Sequence, residues 1–236
     1  MTTVNNVVSR EAWLAARLEL LAREKAWTRE GDALAAARRA LPRVRIDAPY
    51  VFAGPDGERS LLDLFAGKRQ LVLYHFMFDP SKDQGCRSCS FVADHFAGAQ
   101  VHLAARDTAL VVVSRASLAK IAAFRARMGW TFQWLSSHGS SFNYDFGVSF
   151  DPADVAAQAV DYNYKKQAFP HPEAPGISVF VREGDAVYHT YSTYGRGFEP
   201  VMTTYAILDL TPLGRQEEGL EFPMAWVRHH DSYDVT

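Results

Sequence analysis

The stretch Gln70–Phe96, "QLVLYHFMFDPSKDQGCRSCSFVADHF", decides the fold. It opens on a continuous apolar run, "QLVLYHFMF", rich in β-forming side chains. A run of this kind suits a strand buried on both faces. A polar loop from Asp79 to Gly85 follows. A helical stretch is expected from about Cys86 to Arg106. The only two cysteines of the chain, Cys86 and Cys89, stand where the loop hands over to the helix.

Downstream, "TALVVVS" reads as a second buried strand, "SLAKIAAFRARMGW" as an amphipathic helix ending near Gly129, and "TFQWLSS" as a short strand. The region from His138 to Pro175 is polar and aromatic with little periodicity, so it reads as a long irregular insert. "GISVFVREGDAVYHTYS" reads as a hairpin turning at Glu183-Gly184-Asp185. "TYAILDLTP" has helical character. Upstream, "YVFAGPDGERS" predicts strand, turn, strand around Gly54-Pro55-Asp56-Gly57, and "LLDLFAG" a short helix closed by Gly67.

Residues 9–41 predict helix, with Ser9 as N-cap and Glu11 favourable in the first turn. Trp13, Leu20, Trp27, Leu34 and Leu41 recur every seven residues, and Leu21 widens the stripe. Gly31 is expected to break this helix in two, and Pro42 to end it. The stripe packs on its own domain in one reading and forms a dimer contact in the other.

Strands alternating with helices, then a hairpin, predict an α/β protein with a mixed sheet flanked by helices. The order β-α-β-α-β-β, with cysteines at the exit of the first central strand, is the order of a thioredoxin fold. The expected division is a helical extension over 1–45 and a thioredoxin-like domain over 46–236, its insert spanning about 138–175.

Composition sets the outer bounds. Of 236 residues, 48% are hydrophobic and 22% charged, the balance of a globular protein with a real core. The formal net charge of -2 gives no global attraction to nucleic acid or an anionic membrane. No apolar run is long enough to span a bilayer, and the start "MTTVNNVVSREAW" lacks the pattern of a signal peptide. A cytoplasmic address is the expectation, and in a reducing compartment two cysteines are not expected to be a structural staple.

Cys-x-x-Cys at a helix start suits dithiol chemistry. The two sulfurs can close a small disulfide ring, and the helix N-terminus favours a thiolate on the first. Lys82 and Arg87 would add to that and Asp83 oppose it. Cys86 should then attack, and Cys89 resolve the mixed disulfide. His75, on the preceding strand, is a candidate for proton transfer to Cys89. Its alternative is a core histidine bonded to a backbone carbonyl.

Other readings stay open. Structural zinc needs four ligands, and no second cysteine pair exists. His95 is turned away from both sulfurs on a straight helix, yet a copper-type site from Cys86, Cys89 and a histidine is compatible with ligand softness. A peroxidase would want Pro-x-x-x-Thr-x-x-Cys, and Pro80 and Gln84 fit neither register. A further reading, given less weight than dithiol exchange, has both thiols buried and inert. His229-His230-Asp231 reads as a solvated tail. Ser136–Ser141 holds no nucleophile elbow.

The blocks "LVLYHFMF…GCRSCSFVADHF", "SRASLAKIAAFRARMGWTFQWLSSHGSSFNYDFGVSF", "APGISVFVREGDAVYHTYSTYGRG" and "FPMAWVRHHDSY", with the first helix, occur together in order. In this the chain resembles the bacterial domain-of-unknown-function family 899, whose members are described as thioredoxin-like, some as dithiol-disulfide oxidoreductases. The resemblance implies that Cys86 and Cys89 are the active pair and that His75 stands where thioredoxins carry a buried acidic residue. It implies that Pro175 is a cis-proline facing the disulfide, with Ala174 presenting its backbone to a substrate beside Arg87. Arg87-Ser88 stands where thioredoxins carry Gly-Pro, and the loop from Asp79 is longer. A dedicated partner or a small disulfide or dithiol is therefore expected as substrate, with no cofactor. The alternative, of another class, is a non-catalytic ligand- or metal-binding protein.

Overall fold

The structure is a computed structural model that describes residues 6–234. The first element, α1 (Arg10–Arg39), begins at Ser9, whose Oγ accepts from the Ala12 N–H at 3.2 Å. It runs through Gly31 without the expected break. One glycine in a helix interior costs only about 1 kcal/mol, and the residues on either side are strong helix formers. No residue of α1 is buried. Then come β1 (Val44–Arg45) and the hairpin β2 (Val51–Gly54) and β3 (Gly57–Ser60), a single 3-10 turn at Asp63–Phe65, and β4 (Gln70–His75).

After β4 and the polar loop, α2 (Arg87–Asp94) and α3 (Ala99–Ala105) replace the single long helix expected there. Gly98 separates them at φ 79°, a left-handed conformation that ends a helix and that glycine adopts without strain. Next are β5 (Thr108–Ser114), α4 (Leu118–Arg127) and β6 (Gln133–Ser136). The insert is less irregular than its sequence suggests. It holds α5 (Phe142–Asp145), α6 (Pro152–Ala156) and a small hairpin of β7 (Val160–Tyr162) and β8 (Lys165–Gln167). The chain closes with the expected hairpin β9 (Gly176–Glu183) and β10 (Ala186–Tyr194), then α7 (Thr203–Leu208) and a loop-rich tail.

The main sheet runs β1-β10-β9-β4-β5-β6-β2-β3. Strands β4, β5 and β6 are parallel, while β9 lies antiparallel on β4 and β10 antiparallel on β9. The central order β10-β9-β4-β5, with α2 and α3 crossing between β4 and β5, is the thioredoxin arrangement. The fold is therefore the expected thioredoxin-like mixed sheet flanked by helices.

The apolar run of β4 is buried on both faces, as its composition requires. Tyr74 and Phe76 pack with Cys89, Phe124, Trp130 and Trp134 on one face. Leu71 and Leu73 pack with Phe52, Phe65, Phe142 and Phe180 on the other. A third cluster, including Val148, Phe150, Tyr162 and Ala174, anchors the insert.

The chain enters β9 through Ala174-Pro175 by a trans bond, for no cis peptide occurs among the described residues. This corrects the expected cis-proline. Ala174 continues an extended path, its N–H bonded to the Val148 carbonyl at 3.0 Å, after an antiparallel bridge between Ser149 and Glu173. The insert delivers the strand in line, and no reversal is required. Among the described residues no helix is long and apolar enough to cross a membrane.

Candidate active site

The two cysteines are placed by backbone bonds to one residue just beyond β4. The Cys86 N–H donates to the Met77 carbonyl at 3.0 Å, and the Met77 N–H approaches the Cys89 sulfur at 3.5 Å. Cys86 is the N-cap of α2, and its carbonyl accepts from both the N–H and the Oγ of Ser90 at 2.9 Å. Gly85 must be glycine for a packing reason. A Cβ there would lie 2.6 Å from Phe76 and 2.8 Å from Phe124. Its carbonyl accepts from His229 Nε2 at 3.0 Å.

Both thiols are free. Cys86 is half-buried, whereas Cys89 is 1% exposed. The Cys86 thiol is held below the ordinary thiol range, first by a hydrogen bond from Cys89, then by the N–H groups of Cys89 and Ser88 and the charge of Arg87, all against the cost of burial. Burial, followed by the hydrogen bond to Cys86, pushes the Cys89 thiol up. The pair thus divides into a reachable thiolate and a covered thiol.

His75 is not with them. It lies on the opposite face of the sheet, stacked on Phe142 and Phe146, with Nε2 2.9 Å from Ser178 Oγ. Burial, with His189 nearby, pushes it down to about 3, so it is neutral. Its expected proton-transfer role is corrected by strand alternation, since successive residues of β4 face opposite sides. Tyr74 takes the position behind Cys89. Its hydroxyl is fully buried without a hydrogen-bond partner of regular geometry, and burial, then Cys89, push it well above the usual phenol range. His95 faces away, with Nε2 2.8 Å from Thr204 Oγ1.

Two clefts meet at Met77 and Cys86. One, of about 620 Å³, is lined by Tyr74, Cys89, Pro175, Phe198, Met202 and Met224 among others. The other, of about 690 Å³, is lined by Lys82, Arg87, Glu173, Arg228 and His229 among others. Of the residues expected at a substrate dock, Pro175 therefore borders the first cleft and Arg87 the second. Ala174 does not offer its amide, which is bonded to Val148, and the Pro175 carbonyl accepts from Tyr162 Oη at 2.8 Å.

Three residues escaped the sequence. Tyr74 sits in an apolar run without alternation to show its face. His229 is buried, not a solvated tail residue, and its bond to Gly85 spans the whole domain. His230 likewise bonds to Asp94 at 2.7 Å and Asp231 to Arg127. Glu173, 3% exposed, has neither carboxylate oxygen in a hydrogen bond of regular geometry. No motif marks it.

No curated protein matches the chain. Among solved structures, the peroxidoxin BcpB of Mycobacterium tuberculosis is 15% identical, covering 70% of this chain and 95% of its own, with a TM-score of 0.48. A peroxiredoxin Q of Xanthomonas campestris is 14% identical over 73% of this chain and 96% of its own, with a TM-score of 0.47. Residues 2–233 match the model of a family described as a bacterial protein of unknown function, and the chain belongs to that family, DUF899.

Proposed function

We propose that the protein is a dithiol-disulfide oxidoreductase working through Cys86 and Cys89. The carrying observation is the division of the pair, with a partly exposed thiol at the head of α2 favoured as thiolate and a buried partner directly behind it. Cys86 attacks a disulfide of a protein or small molecule, forming a mixed disulfide. Cys89 then attacks the Cys86 sulfur, releasing the second thiol and leaving the internal disulfide. An external dithiol restores the reduced pair. Substrate meets Arg87 and Pro175 at the two cleft walls, with Ala174 as the buried support behind the proline.

The test is a disulfide-reductase assay with a measured reduction potential, on the wild type and on Cys86→Ser and Cys89→Ser. Cys86→Ser should abolish reduction, and Cys89→Ser should trap the mixed disulfide. A substrate that Cys86→Ser still reduces at the wild-type rate would refute the reading. Hydrogen peroxide should be consumed at the rate of a simple thiol, because the Pro-x-x-x-Thr-x-x-Cys arrangement is absent from the cysteine loop. Stopped-flow consumption orders of magnitude faster would reassign the site to peroxide chemistry.

A further inference from the structure

We propose that Glu173 is the acid that protonates the thiolate expelled when Cys86 attacks a disulfide. This rests on the exchange reading above and names the group that completes its first step. The geometry is specific. Glu173 lines the same cleft as Cys86, on a segment fixed by the bridge to Ser149. Both of its oxygens are buried without a hydrogen bond of regular geometry, although the Phe78 N–H acts on the carboxylate and favours its charged form. A buried carboxylate left so would cost far more than a neutral carboxyl with a proton to give.

The surroundings agree. Among the described residues Arg115 is the sole ion-pair partner, at 4.0 Å, too far for a direct hydrogen bond. Asp79 from the cysteine loop and Cys86 itself add negative charge, and His171, Lys82, Arg87, Arg228 and His229 border the same cleft. Burial is the largest influence and lifts Glu173 to about 8, with Arg115 opposing. Near neutral pH the cleft therefore holds a thiolate and a protonated acid in its lining. Pushing two groups apart in this way assigns nucleophile and acid.

The step balances. The Cys86 thiolate attacks one sulfur of R–S–S–R, a new sulfur–sulfur bond forms, and the old one breaks. The departing RS⁻ takes the proton of Glu173 and leaves as RSH, and Glu173 becomes a carboxylate that solvent reprotonates. In the second step the Cys89 thiol closes on Cys86, and its proton goes to the second departing RS⁻. The substrate disulfide gains two electrons, and the cysteine pair loses them.

An acid matters only when the leaving thiolate is strongly basic. The experiment compares reduced wild type and Glu173→Gln on two disulfides. One is bis-hydroxyethyl disulfide, which expels a basic alkyl thiolate. The other is dithiobis-nitrobenzoate, which expels a stabilised aromatic thiolate. Glu173→Gln should slow the first reaction about tenfold or more and leave the second within about twofold. The second rate also reports that Cys86 remains folded and reachable. In the wild type alone, the ratio of alkyl to aromatic rate should fall as pH rises through about 8. Equal slowing on both reagents, or none on either, together with a flat ratio, would overturn the role of Glu173 while leaving exchange intact. A wild type that attacks neither reagent faster than a free thiol would overturn exchange itself, and this role with it.

Discussion

At the scale of single residues, the two thiols are chemically unequal because their backbones differ in what they face. Cys86 looks out from the end of α2, where N–H groups point at its sulfur. Cys89 is one turn inside, against Tyr74. Iodoacetamide applied to reduced protein near neutral pH should therefore modify Cys86 first. The midpoint of that reactivity should lie below the usual thiol value of about 8.5. Peptide mapping that finds Cys89 labelled first would reverse the roles.

His75 makes a second prediction at this scale. Its folded form is neutral, since burial lowers it from 6.5 to about 3. The unfolded chain binds the proton more readily in that window. The stability it confers is thus complete above about 6.5 and is lost as pH falls toward 3. The slope approaches about 1.4 kcal/mol per pH unit at most. Denaturant unfolding of wild type and His75→Gln should give a difference that shrinks in favour of the variant as pH drops. A pH-independent difference would show that His75 charges equally in both states. The sequence showed the cysteine pair because spacing alone carries that chemistry. It could not show which of Tyr74 and His75 faces the thiols, because a strand buried on both faces carries no alternation to read.

At the scale of elements, the loop between β4 and α2 sets the site. Met77 holds both cysteines by its backbone, and Gly85 lets the loop pass between Phe76 and Phe124. Gly85→Ala should force those rings or the loop to move, at a cost of about 1–3 kcal/mol. The Cys86 N–H···Met77 bond lies in the path of that movement, so the alkylation rate of Cys86 should change with stability. Unchanged stability and unchanged Cys86 reactivity would mean the rings yield freely. The central strands, the β2–β3 and β9–β10 hairpins and α4 were legible from period and turn residues, whereas β1 and the β7–β8 hairpin of the insert were not. The split of α2 from α3 was carried by Gly98 alone, within otherwise helical sequence. The trans bond before Pro175 was not legible, because it depends on the direction from which the insert arrives and on the Val148 carbonyl that receives Ala174. His229 reaches Gly85 from 144 residues away, a pairing that no local pattern encodes.

At the scale of the whole molecule, the sheet separates the face that carries the cysteines from the face that carries His75, and α1 belongs to neither. It spans 30 residues with none buried. Trp13, Leu20, Leu34 and Leu41 are each about half exposed, and Trp27 is 79% exposed. Burying such side chains contributes about 1.5–3 kcal/mol each, and that gain is unrealised within one chain. Apolar residues at every seventh position, with Leu21 beside them, fit a helix packed on its own domain or the seam of a helix pair, and their exposure favours the pair. The helix also carries interspersed acidic and basic residues along its length, so a second copy meets both signs. We propose a two-fold pairing of α1 with α1, a closed arrangement that would cover the stripe. Sedimentation equilibrium of the full chain should give twice the monomer mass of 26.4 kDa. Trp27→Glu, at the middle of the stripe, should shift it to monomer by placing like charges at the centre of the seam. Thiol chemistry at Cys86 should survive in that monomer, because no residue of α1 lines either cleft. A wild type that sediments as a monomer at concentrations well above micromolar would show that α1 does not pair with itself.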